Sequence, residues 1–301
     1  MSEAALRAHV EALAADDMNG RLAGSRGERQ AADYVARAFE AAGVAVPDGG
    51  TRLQTVPLHG LGDDSVNVVG VVVAGGDARH AGEFVVVGAH IDHLGRDGKI
   101  YRGAEDNASG VAVLIELGRA LAARRGELGR SVLLVGFGAE EKGMIGSAAF
   151  VARPPVARDR IAAMVNIDMI GRRLVDQFWL APLKLAYGIP GDGVGVVGTA
   201  RRPALRRIVD DACKAAGVRP VAPEDLPDSV RADVERQTAG RGDNVPFERA
   251  GIVSVFFGSG ESDDYHKPSD VIDKLDFPLM ARRGRAILGT VVGLSRSAPL
   301  R

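Results

Sequence analysis

The chain has 301 residues, 46% of them hydrophobic, with 38 Lys+Arg against 39 Asp+Glu and a net charge of −1. That length suits one large α/β domain or two small ones, and the apolar content supports a sizeable core. The near-neutral balance gives no sign of a nucleic-acid or anionic-membrane partner, and no apolar run approaches the roughly 18 residues of a membrane-spanning helix. A single cysteine, Cys213, excludes an internal disulfide. It keeps helical spacing with Leu205, Ile208 and Val209 and reads as a buried structural thiol.

The N-terminus, Met1-Ser2-Glu3-Ala4-Ala5, lacks the basic start and apolar centre of a secretory signal. A cytoplasmic location and, with a leader removed, an extracytoplasmic one both stay open. Residues Ala4–Ala15 and Glu28–Ala42 show the period of amphipathic helices, the second closed by Gly43. Asn19–Ser25 between them reads as a loop. Valine-rich Val66–Val73 and Phe84–Val87 predict strands, and Asn107–Arg119 predicts a helix with a stripe at Val111, Leu114 and Ile115. Ser131–Val135 and Ala162–Ile167 are near-continuous apolar runs, the mark of strands buried on both faces. Leu205–Ala216 predicts a helix ending at Gly217, Gly251–Phe257 a further buried strand, and Leu279–Leu294 a closing helix. The polar stretch Pro220–Asn244 is expected to be the least regular part. Alternating strand and helix predict an α/β fold: a mostly parallel central sheet flanked by helices on both faces.

Five scattered residues, His90, Asp106, Glu141, Asp168 and His266, lie at strand ends or in the loops beyond them. In an open α/β sheet those loops converge on one crevice. Two imidazoles and three carboxylates there suit two divalent ions, most simply zinc. Asp92, two residues after His90, is placed to accept its second ring N–H. His93 reads as an outer support or as exposed; His9, His59 and His80 have no acidic context. Asp106 or Asn107 could instead cap the helix that follows. Glu140 and Glu141 are adjacent acids that would ordinarily be solvated, but beside a metal one can ligate while the other takes a proton. Asp168 ends a buried strand, where a carboxylate is costly unless paired or bound to a cation. Asp270 could orient His266 or cap the next turn.

Jointly, Gly88-Ala89-His90-Ile91-Asp92, Gly103-Ala104-Glu105-Asp106-Asn107-Ala108-Ser109-Gly110, Glu140-Glu141, Asn166-Ile167-Asp168 and Asp264-Tyr265-His266 resemble the zinc-dependent aminopeptidase family that includes bacterial leucyl aminopeptidase and aminopeptidase Y. Its relatives include glutamate carboxypeptidase II, the glutaminyl cyclases and transferrin receptor. The resemblance runs from Gly88 to Asp270 and more loosely over Leu13–Tyr34. It implies that His90 and Asp168 hold one zinc, Glu141 and His266 the other, that Asp106 bridges both, and that Glu140 is the general base. It also implies a cis peptide after Asp106 and favours an extracytoplasmic location. The family's usual Ser-Asp-His is here Gly242-Asp243-Asn244. The stretch between Val66 and Phe84 is too short for a protease-associated insert, so residues 1–301 read as a single catalytic domain.

The expected activity is removal of N-terminal residues from peptide substrates. The alternatives are a related metallo-carboxypeptidase, for which Arg172 and Arg173 could supply an acid-binding pocket, or a glutaminyl cyclase-like enzyme. Cyclases of this family lack the first histidine, so His90 argues against that reading. A receptor role, seen in relatives that have lost ligands, conflicts with a complete ligand set. Met169, Tyr265 and Phe256 adjoin the ligands and are expected to wall an apolar pocket for the substrate's first side chain.

Overall fold

The valine-rich runs become the middle of one eight-stranded sheet. The computed structural model describes residues 1–75, 78–174, 176–177, 181–238 and 240–300. In chain order the strands are β1 (Leu53–Val56), β2 (Ser65–Val72), β3 (Phe84–His90), β4 (Arg96–Asp97), β5 (Lys99–Ile100), β6 (Ser131–Phe137), β7 (Ile161–Ile167), β8 (Val194–Val197), β9 (Pro220–Val221) and β10 (Val253–Gly258). The sheet order is β1-β2-β6-β3-β7-β10-β8-β9, while β4 and β5 form a separate small ribbon. Its centre, β6-β3-β7-β10, is parallel throughout. Within this sheet the described antiparallel strand pairs are β1 with β2, β2 with β6, and β8 with β10.

The helices are α1 (Glu3–Leu13), α2 (Arg26–Ala41), α3 (Gly110–Ala122), α4 (Ile145–Ala152), α5 (Ala181–Ala186), α6 (Pro203–Ala216), α7 (Asp228–Thr238), α8 (Asn244–Arg249) and α9 (Phe277–Arg296). Strand alternation sends successive side chains to opposite faces. On β3, Val85 and Val87 join the larger core with residues of α1, α2, α3, α6 and α9. Val86, between them, joins a smaller core with Phe150 of α4 and Phe247 of α8. There Phe137, Phe150 and Phe247 pack with ring centroids 5.9–6.1 Å apart. Both faces of the sheet are therefore covered, which is why its central strands are apolar at most positions.

Local signals set the helix ends. The Ser25 hydroxyl accepts the Glu28 N–H, and the Asp276 carboxylate accepts the Leu279 N–H. Such caps contribute about 1 kcal/mol each. Gly43 and Gly217 follow α2 and α6 with φ of 75° and 67°, a conformation that glycine adopts without steric cost.

Several elements depart from the sequence expectation. The segment before α3 is a wide turn over Ala104–Ser109, and the regular helix begins only at Gly110. Asn107 is the reason: its side-chain oxygen accepts the Gly110 and Met169 N–H groups while its amide donates to the Ile167 carbonyl. The peptide between Asp106 and Asn107 is cis. The expected loop Asn19–Ser25 begins inside a 3-10 segment, Asp16–Arg21. Polar Pro220–Asn244 holds α7, whose sequence is rich in helix formers but short of apolar residues. No described helix is long and apolar enough to cross a membrane.

Candidate metal centre

The four parallel strands deliver their C-terminal ends to one side of the sheet. His90 is the last residue of β3, Glu140 and Glu141 follow β6, Asp168 follows β7, and His266 lies in the loop after β10. Asp106 comes from the turn before α3. These residues meet. His90 Nε2 lies 3.2 Å from Asp106 Oδ1 and 3.3 Å from Asp168 Oδ1. On the other side of the same carboxylate, Asp106 Oδ2 lies 3.3 Å from His266 Nε2, which is 3.1 Å from Glu141 Oε2. Asp106 thus offers one oxygen to each of two donor groups, and all five sequence-assigned ligands belong to one or the other.

His93, left undecided by the sequence, is fully buried and joins the second group. Its Nδ1 lies 2.9 Å from Glu141 Oε1 and 3.7 Å from Asp106 Oδ2. Each group holds at least three nitrogen and oxygen donors close enough for one ion, His90-Asp106-Asp168 and His93-Asp106-Glu141. Asp106 Oδ2 and His266 Nε2 are buried and make no directed hydrogen bond. Buried polar atoms are normally satisfied, so a pair left facing each other fits a position made for a cation. Imidazole and carboxylate donors in this ratio suit zinc.

The charges point the same way. Burial opposes ionisation of His90, yet Asp168 and Asp106 hold its pKa well above the usual histidine value. Burial likewise opposes charge on His266, but the Asp106 and Glu141 carboxylates beside it raise it to about 10. Asp106 is held well below the carboxylate range: burial would raise it, but His266 and His90 facing its two oxygens outweigh that. Without an ion, the acids keep protons on the histidines; metal binding would displace those protons. Glu140 stands apart. Burial drives it well above the usual value, and although His90 lowers it, Asp243, Asp168 and Asp92 add to the rise.

Buried side chains pin the loops that carry Glu141, Asp106 and Asp168. The Asp92 carboxylate accepts the N–H groups of Glu140 and Glu141 at 3.0 and 3.2 Å. This differs from its expected role, since the acceptor facing His90 Nδ1 is the Asp92 carbonyl at 3.2 Å, with the carboxylate at 3.8 Å. Asp270 neither orients His266 nor caps its own turn; its carboxylate accepts the N–H groups of Glu105 and Asp106. Glu105, which no sequence signal marks as a support, accepts from the Gly171 and Arg172 N–H groups and the Ser259 hydroxyl, fixing the loop after Asp168. Ala139, Met169 and His266 have φ of 53–56°. Non-glycine residues in that region cluster at functional sites.

The expected pocket residues Met169, Phe256 and Tyr265 are all half-buried, outside both apolar cores. Tyr265 stacks on His266 with ring centroids 3.8 Å apart. None of the three lines the cavity of about 970 Å³ whose walls include Arg172, Asp176, Lys184, Asp263, Asp264 and Lys274. Arg172 is already paired, 2.7 Å from Asp264 Oδ2 and 3.0 Å from Asp176 Oδ2.

Residues 67–291 match the family described as Peptidase family M28. The chain is 27% identical over 227 residues to the probable leucine aminopeptidase 1 of Trichophyton verrucosum, covering 71% of this chain and 55% of that protein. It therefore spans about half the length of that curated relative. Among solved structures, BSAP, a zinc aminopeptidase from Bacillus subtilis, superposes with a TM-score of 0.69 at 16% identity, over 96% of this chain and 94% of that one. Porphyromonas gingivalis glutaminyl cyclase superposes with a TM-score of 0.68 at 19% identity, over 96% and 97%. At those identities the two structures share the fold.

Proposed function

The chain belongs to peptidase family M28, and on that premise we propose that it is a metallo-aminopeptidase carrying two zinc ions. The observation that carries this reading is the Asp106 carboxylate, with one oxygen turned to His90 and the other to His266. His90 and Asp168 would hold one ion with Asp106, and Glu141 and His266 the other. The printed names of the similar proteins, a leucine aminopeptidase and a zinc aminopeptidase, support it. Residues 1–301 are read as one catalytic domain.

When bound, zinc supplies a Lewis acid for the scissile carbonyl and lowers the pKa of water to about 7. The protein's own part is proton handling and alignment. Glu140 takes the proton of the attacking water and delivers it to the nitrogen of the leaving amine as the C–N bond breaks. Asp92 holds the Glu140 and Glu141 backbone, so that the base and the ligand keep separate directions. Met169, Phe256 and Tyr265 would border the substrate's first side chain. Of the two arginines that an acid-binding carboxypeptidase pocket could use, Arg172 and Arg173, the first is already paired with Asp264 and Asp176.

Hydrolysis of aminoacyl-p-nitroanilides, before and after exhaustive chelation and again after zinc is restored, tests the reading. Chelator-sensitive release that zinc restores is the expected result. Release from N-blocked substrates at the same rate, or activity indifferent to chelator, would overturn it.

A further inference from the structure

Arg21 is among the largest fully buried side chains of the protein, and the metal chemistry does not use it. All four of its described hydrogen bonds end on backbone carbonyls. Nε donates to Ile91 at 2.9 Å, Nη1 to Leu13 at 2.5 Å and to Arg102 at 2.7 Å, and Nη2 to Gly103 at 2.9 Å. Ile91 sits between His90 and Asp92. Gly103 opens the turn that carries Asp106. The backbone around Arg21 reaches the site as well: its carbonyl accepts the His93 N–H, and the Gly20 carbonyl accepts the Gly95 N–H. Arg21 has a φ of 49°, so both its backbone and its buried guanidinium are costly features that the fold maintains.

We propose that Arg21 is a positioning residue that sets the spacing between His90 and Asp106 by spanning the Ile91 and Gly103 carbonyls with one planar guanidinium. The proposal rests on the two-zinc reading above. The geometry needs arginine specifically, because a rigid fork of donors reaches several acceptors at once, whereas an ammonium is a point donor on a flexible stem. The cation also lies under the acid cluster. Burial lowers Arg21 to about 10, with Asp106, Asp270, Asp92 and Glu141 acting against that, so it remains charged at neutral pH. Lysine at this position would keep the charge and lose the fork, which separates the two contributions.

Zinc affinity by chelator competition, and the visible spectrum of the cobalt-loaded protein, are measured for the unaltered chain, Arg21→Lys and Arg130→Lys. Arg130 is the control: it is equally buried and donates to the carbonyls of Leu294, Ser295 and Ser297, away from the ligands, as well as to the Glu83 carboxylate. Arg21→Lys is expected to bind zinc about 10–100-fold more weakly, the range for outer supports of metal ligands, with an altered cobalt spectrum. Arg130→Lys should lower Tm and leave both unchanged. An Arg21→Lys protein with unaltered zinc affinity and cobalt spectrum overturns the proposal. A second readout uses the unaltered chain, in case Arg21→Lys does not fold. Zinc should slow amide hydrogen exchange in the Leu13–Leu22 segment, which contains none of the ligands; exchange there that ignores zinc overturns the proposal. An unaltered chain that takes up no zinc overturns the metal reading itself, and the proposal with it.

Discussion

His93 and Glu141 form a partly buried pair in which the imidazole Nδ1 lies 2.9 Å from one carboxylate oxygen while the other oxygen faces His266 at 3.1 Å. If Nδ1 carries the proton, it turns Glu141 so that a single oxygen is free toward the second donor group. Outer groups of this kind typically change metal affinity or activity by about 10–100-fold. His93→Ala is expected to lose the Glu141–His266 ion preferentially and keep the other. Metal analysis after dialysis, giving close to one ion per chain, checks this; full retention of both would show that Glu141 is held without His93.

The two adjacent acids should separate cleanly. Glu140→Gln is expected to retain metal and lose about 10²–10⁴-fold in kcat, the usual contribution of a general base. Glu141→Ala should lose metal. Equal metal content and equal rates in the two variants would remove the division of labour between them.

Stability should fall with rising pH through Glu28. This carboxyl is fully buried under the loop that carries Glu140, where Ser65 Oγ donates to it at 2.5 Å and the Gly24 N–H at 2.6 Å. Burial, reinforced by Asp92, pushes it up to about 8. A folded-state value above the unfolded 4.5 means that the folded chain holds the proton more tightly. Its contribution is complete below about pH 4.5 and is lost as pH rises toward 8. Glu28→Gln cannot ionise, so its Tm should improve relative to the unaltered chain across that window. Parallel Tm–pH curves for the two proteins would show that Glu28 does not titrate there.

Substrate preference should follow apolar size. With Met169, Phe256 and Tyr265 at the pocket, leucyl substrates should exceed aspartyl and glutamyl ones in kcat/KM, and shorter aliphatic side chains should fall off by about 1–3 kcal/mol per methylene. Phe256→Ala should flatten that series. A preference for acidic residues would place a cation at the pocket and remove these three residues from the role, leaving the metal chemistry as it stands.

The sequence by itself determined the parallel sheet and the positions of the five ligand candidates. Strands buried on both faces must be mostly apolar, so a histidine or acid at or shortly after the end of such a run, as at His90, Glu141 and Asp168, stands out without any structure. It did not determine β1 or α7. The first is a four-residue edge strand with only one buried position, and the second carries too few apolar residues to show a helical period. Nor could it assign the supports. Arg21 bonds carbonyls 70–82 residues away, His93 meets Glu141 across 48, and Asp270 reaches Glu105 and Asp106 across 164–165. No local pattern encodes those contacts. Which buried charge faces which backbone group is decided only when the strands take their sheet order and bring the loops to one crevice, where each polar group must find a partner or cost the fold its burial.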